Sequence, residues 1–147
     1  MVPNYETNKT GTTAENNWQN AESRDFINVY AAQATDSAAT INSKLAEGLD
    51  ILIQPGNYHL SESLKVNKAG QVILGIGMAT LISTNGNACI EVGDVDSVRI
   101  AGVILEAGTK KSDTLLKWGS GNFKGSSTTP GVMSDVFARV GGSTNSQ

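Results

Sequence analysis

Five acidic side chains are the natural places to look for chemistry in this chain. Glu91, Asp94 and Asp96 fall within six positions of one another, and Glu106 and Asp135 follow at longer intervals. Two carboxyl groups about 5 to 9.5 Å apart can hydrolyse a glycosidic bond, one as acid and the other as base or nucleophile. Glu91, Glu106 and Asp135 are the candidates for such a pair. Exposed acids that are merely solvated are the competing reading. Asp94 and Asp96 supply oxygen ligands of the kind calcium takes, but no complete ion-binding loop surrounds them, so a plain turn is expected and no metal. His59 is the sole histidine, which leaves a Ser-His-Asp or multi-histidine zinc site without parts. Cys89 lies between Ala88 and Ile90 with no histidine nearby and reads as a small packed residue. Gly75-Ile76-Gly77 looks like part of a dinucleotide fingerprint, yet position 80 is Thr and no crossover helix follows, so a chain corner is expected. Trp118 and Lys117 offer a stacking face and a hydrogen-bond donor to a sugar, with closure of the interior as the other role for Trp118. Lys110-Lys111 reads as a solvated loop. No cofactor is implied.

These residues need elements to hold them, and composition narrows the choice. The 147 residues form one domain by length, with 16 glycines and few aromatic or charged residues. Short strands joined by many turns suit that mixture better than a helical bundle. A net charge of −3 argues against a nucleic-acid partner. No apolar run reaches membrane-spanning length, and no secretory leader precedes Asn4, which does not fix a compartment. A single cysteine makes no internal disulfide. Asn8-Lys9-Thr10 matches a glycosylation sequon and implies at most a surface loop.

Residues 1–24 lack periodicity and read as an irregular N-terminal arm. Phe26-Ile27-Asn28-Val29-Tyr30 reads as a strand. Asp36-Ser37 offers an N-cap, Ala38, Ile41 and Leu45 share one helical face, and Gly48 stops the helix, giving a short helix at about 37–47. Beyond Leu49 three sets of short strands recur. One begins at Ile51, Val72, Val98 and Val132. A second comprises Tyr58-His59-Leu60, Thr80-Leu81-Ile82, Val103-Ile104-Leu105 and Val136-Phe137-Ala138. The third is Leu64-Lys65-Val66, Ile90-Glu91-Val92 and Leu116-Lys117-Trp118. Cycles of roughly 21 to 35 residues signal a solenoid. Pro55-Gly56 lacks the central Asn-Gly or Asp-Gly of a tight hairpin, so the chain turns a corner there and climbs. The expected fold is all-β, a right-handed single-stranded parallel β-helix with a short N-terminal capping helix, spanning 25–142 and followed by a polar tail at 143–147.

If the third set points its apolar members inward, Lys65, Glu91 and Lys117 stack outward with alternating sign. Windings lie about 4.8 Å apart, so that order is favourable. In the second set the outward members become His59, Leu81, Ile104 and Phe137, an apolar strip. A one-residue error of phase would exchange the faces. A cover over the strip is the preferred explanation, which makes these four residues an interface.

The runs DSAATINSKLAEGLDILIQPGNYHL, VILGIGMATLI, VGDVDSVRIAGVILEAG, TLLKWG and DVFARVGG together resemble the β-helix of proteins related to glycoside hydrolase family 55. That group includes exo-acting β-1,3-glucanases. The resemblance covers roughly Phe26 to Gly142 and implies a pectate-lyase-like solenoid. It implies longer relatives with two β-helices side by side, whose catalytic acid and sugar groove lie mainly in a later part. No catalytic residue of the family is thereby assigned to a position here. It implies that the helix from Ser37 to Glu47 caps the first coil and blocks an edge, and that the His59 strip is an interdomain contact. The expected role is a non-catalytic module of a β-1,3-glucanase-like protein, extracellular or at the cell surface, which binds polysaccharide or supports a catalytic domain. One alternative is a small glycoside hydrolase acting on β-glucan. Another is an assembly element whose open coil end pairs with a second β-helix domain or another copy. Nucleic acid and membrane are not expected partners.

Overall fold

The computed structural model describes residues 1–4 and 21–141. The sequon at Asn8, most of the N-terminal arm and the tail at 143–147 lie outside these residues. At the ends of the arm, Val2–Pro3 (β1) pairs antiparallel with Ala21–Glu22 (β2), so those residues are not irregular. Arg24 then ties this segment to the body, donating to the Gly70 carbonyl at 3.3 Å and lying 3.7 Å from Asp50.

Phe26–Asn28 does not extend the following strand, contrary to its apolar look. It forms a 3-10 turn because the Asp25 carboxylate accepts the Ile27 amide at 3.1 Å, and both Phe26 and Ile27 are left exposed. Strand β3 is therefore only Val29–Ala32. Helix α1 (Ala38–Glu47) is bounded as its sequence dictates. Ser37 accepts the Thr40 amide at its start, Gly48 closes it with a φ of 95°, and Ala38, Ile41 and Leu45 are buried. One further contact gives the helix its capping role. Asn42 donates to Ser63 O at 2.9 Å and accepts from Lys65 N at 2.8 Å. Its amide thus occupies the place of a missing neighbouring strand along β6.

The remaining strands are β4 (Asp50–Ile53), β5 (Asn57–Leu60), β6 (Leu64–Val66), β7 (Val72–Ser83), β8 (Ile90–Val92), β9 (Arg99–Glu106), β10 (Leu116–Trp118), β11 (Val132–Ser134) and β12 (Phe137–Arg139). All pair in parallel, in the orders β10-β8-β6 and β11-β9-β7-β4-β3, with β5 against β7 and β12 against β9. Both β4 and β5 run parallel to successive parts of β7. The chain therefore bends at Pro55-Gly56 without reversing, a pattern consistent with a β-helix.

Alternation sorts the side chains. Ile51, Ile73 and Ile100 form one buried row, Tyr58, Leu81 and Leu105 a second, and Leu64 and Ile90 a third. The first row aligns Ile51 with Ile73 and Ile100, one position beyond Val72 and two beyond Val98. The third set has the expected register, with Lys65 opposite Glu91 and Glu91 opposite Lys117. Tyr58 closes the core with a hydroxyl that donates to the Ala32 and Gln54 carbonyls. No helix of the described residues is long and apolar enough to cross a membrane.

Candidate functional site

The outer face of β6, β8 and β10 gathers more of the anticipated residues than any other. A hollow of about 380 Å3 is lined by Lys65, Asn67, Glu91, Asp94, Lys117 and Ser120. Register places Lys65, Glu91 and Lys117 in one outward row because their neighbours in each strand point inward. Lys65 also reaches Glu62, at 3.8 Å. Asn67 and Ser120 were not singled out from sequence, since nothing in a polar turn residue marks it before the windings are aligned.

Asp94 accepts from both the amide and the hydroxyl of Ser120, at 2.6 and 2.7 Å. These bonds favour its charged form and hold its carboxyl below the usual carboxylate range. Asp96 accepts the Ser126 amide at 2.7 Å. Both acids thus pin the loop that follows Gly119 to the preceding winding. Among the described residues no group of three or more His, Cys, Asp or Glu side chains comes together as a metal centre.

Glu91, Glu106 and Asp135 are not brought together. Glu106 faces a hollow of about 370 Å3 on another outer face, lined by His59, Ile82, Thr109 and Arg139 among others. Asp135 sits at a left-handed turn between β11 and β12, with φ 51°, beside a hollow at the end of the stack that Leu116, Met133 and Val140 also line. The three acids therefore line three separate hollows. Glu91 and Asp94 do share a hollow, and the lowered pKa of Asp94 suits the ionised partner of a carboxylate pair and not its general acid.

Trp118 continues the inward column of Val66 and Val92. A Cβ on Gly131 would lie 2.3 Å from its ring, so the indole packs on that backbone. It does not lie on the outer face beside Lys117. Leu81 likewise leaves the supposed outward strip. It pairs with Tyr58 and Leu105 and is fully buried, while His59, Ile104 and Phe137 face outward. His59 stands opposite Ile82 instead.

Cys89 is buried, its Sγ–H donates to the Leu81 carbonyl at 3.2 Å, and loss of solvent pushes its thiol up to about 11. Native protein at pH 8 is expected to resist iodoacetamide, with stoichiometric labelling only once urea unfolds it. Rapid labelling before unfolding, read by mass spectrometry, would contradict the packed placement. Gly75-Ile76-Gly77 forms a corner, with φ 60° at Gly77 and 64° at Met78.

Comparison with known proteins accords with this geometry. A model described as the LAM55 pectate lyase-like domain matches residues 29–147. An exo-β-1,3-glucanase of Streptomyces sp. (strain SirexAA-E / ActE) is 38% identical over 143 residues, which are 97% of this chain and 24% of that protein. The structure of sacteLam55A from Streptomyces sp. SirexAA-E is similar at a TM-score of 0.89 and 38% identity, over 96% of this chain and 26% of that one. A variant of sacteLam55A in complex with glucose gives 0.76 and 39% identity, over 78% and 21%. The chain spans about a quarter of the length of these relatives.

Proposed function

The chain belongs to the LAM55 pectate lyase-like domain family, and from that membership we propose that it acts as a non-catalytic, glucan-contacting β-helix. In this reading the parallel windings form a right-handed single-stranded solenoid that serves a β-1,3-glucanase-related protein outside the cell or at its surface. The observation that carries it is the row of Lys65, Glu91 and Lys117 on one outer face. Charged groups repeat there at the winding interval of about 4.8 Å, each able to hydrogen-bond a hydroxyl along an extended sugar chain. Lys117 is the contact, and Trp118 supports it from inside. The exposed end formed by β11 and β12, with Met133, Phe137 and Val140, is covered by a second β-helix domain or another copy.

Calorimetric titration with a β-1,3-linked glucose hexamer, with the same sample assayed for released glucose, tests the role. The expected result is binding heat without release, weakened about three- to tenfold by Lys117→Ala. Released glucose would overturn the non-catalytic reading in favour of a hydrolase that uses Glu91 and Asp94, the two candidate acids that share a hollow. Absence of both signals would overturn glucan contact itself.

A further inference from the structure

The loop between β7 and β8 contains Asn85-Gly86, the one Asn-Gly pair in the sequence. In such a pair the amide nitrogen of the second residue reaches the asparagine side-chain carbonyl freely, because glycine has no Cβ to obstruct it. The fold requires glycine at this place. Gly86 has φ +78°, and a Cβ on it would lie 2.6 Å from the Lys111 carbonyl oxygen. Asn85 is exposed, and neither its Nδ2 nor the Gly86 amide hydrogen-bonds to a described residue. Its Oδ1, by contrast, accepts from Lys110 Nζ at 2.6 Å. That ammonium arrives from the loop between β9 and β10, on the neighbouring winding. The two loops are held together beside it: Ser112 Oγ lies 3.0 Å from Ser83 Oγ and donates to the Asn87 carbonyl at 3.3 Å. Other asparagines lack the combination. Asn122 is equally exposed but precedes Phe123, and Asn42 lies in α1 with both amide atoms bonded.

We infer that Asn85 is a site of intramolecular deamidation, promoted by Lys110. The Gly86 nitrogen gives its proton to solvent base and attacks Cγ of Asn85, forming the new N–Cγ bond of a succinimide ring. The Cγ–Nδ2 bond breaks, and Nδ2 takes up protons from solvent and leaves as ammonia. Water then opens the ring at either carbonyl, leaving aspartate or isoaspartate. Nothing is oxidised or reduced; one water is consumed and one ammonia released. Negative charge builds on Oδ1 during the attack, and the Lys110 ammonium is already bonded to that atom to stabilise it. The aspartate product sets a carboxylate beside Lys110, an exposed ion pair that adds little to stability. The isoaspartate product instead moves a methylene from the side chain into the backbone and lengthens the loop between β7 and β8. The inference uses neither the ladder of Lys65, Glu91 and Lys117 nor its ligand.

The test is incubation of the full chain in mildly alkaline buffer made with heavy-oxygen water, followed by peptide mass mapping. Uptake of heavy oxygen separates conversion during the incubation from any before it. The peptide with Asn85 is expected to show the mass gain of amide-to-carboxyl conversion well before the peptide with Asn122, and as a mixture of aspartate and isoaspartate. Lys110→Ala alters an exposed side chain and is expected to slow conversion about three- to tenfold, through loss of one hydrogen bond to the developing oxyanion. Lys110→Arg keeps a cationic donor and is expected to restore most of the rate. Asn85→Gln, whose longer side chain closes the ring less readily, should remove the signal. Conversion at Asn85 no faster than at Asn122 would overturn the site. A product of aspartate alone, without isoaspartate, would overturn the ring route. Equal or faster conversion in Lys110→Ala would overturn the part assigned to Lys110.

Discussion

Replacing Leu81 with alanine is expected to lower the unfolding free energy by about 2–5 kcal/mol, as for other fully buried leucines. Leu81 has no exposed surface and lies in a row between Tyr58 and Leu105. The windings above and below are fixed by their own ladders, so the cavity has little freedom to collapse. Its carbonyl also accepts from Cys89, which couples this strand to the next side of the coil. His59→Ala is the matched control, since that side chain is exposed and faces the opposite way, and a change within about 0.5 kcal/mol is expected. Urea unfolding followed by circular dichroism gives both values. A Leu81→Ala effect as small as that of His59→Ala would mean the strand has been assigned the wrong face.

The same residue shows where sequence reading succeeds and where it loses phase. In Leu64-Lys65-Val66 and Leu116-Lys117-Trp118 a single charge separates two apolar residues, so one assignment of faces is overwhelmingly cheaper. That register was legible. Thr80-Leu81-Ile82 carries apolar side chains on both faces, and hydropathy alone cannot choose between them. The geometry that decides it lies upstream. Between Leu74 and Ala79 the pairing of β7 with β9 shifts, as the chain rounds a corner with left-handed residues at Gly77 and Met78. Extra residues at a corner change the phase of everything after it. Helix α1 was legible for the opposite reason, because its cap, apolar stripe and glycine stop are local signals. Phe26-Ile27 misled because apolar residues normally extend a strand, whereas Asp25 captures the turn.

The acids illustrate a limit of another kind. Glu91 and Glu106 are near in sequence but lie on different outer faces, and only the route of the corners separates them. The pairing of Glu106 with Arg139 was within reach, however. Ile104 and Phe137 both fall in the second strand set, and counting two residues on from each sets Glu106 opposite Arg139. Cycle lengths can therefore align side chains on neighbouring strands once the corners are counted correctly.

Corners also set the other large effect. A Cβ on Gly102 would lie 2.3 Å from the Gly75 carbonyl oxygen, and one on Gly75 would lie 2.4 Å from that of Gly102. The obstacle in each case is backbone, which cannot swing aside as a side chain can. Gly102 also has φ +67°, a conformation that costs another residue roughly 1–2 kcal/mol. Gly102→Ala is therefore expected to cost more than about 3 kcal/mol or to prevent folding, through backbone strain and a clash together. Gly75→Ala, for which no left-handed φ applies, should isolate the clash. Gly121→Ala has open space around the new methyl and should cost little. Equal unfolding midpoints for Gly102→Ala and Gly121→Ala would show that the windings do not approach so closely at this corner. The consequence reaches the hollow beside Glu106, because β7 and β9 enter this corner at Leu74 and Ala101 and leave it at Ala79 and Val103. A methyl that spreads the windings there must displace Ile82 from Glu106, three residues beyond the exit on each strand.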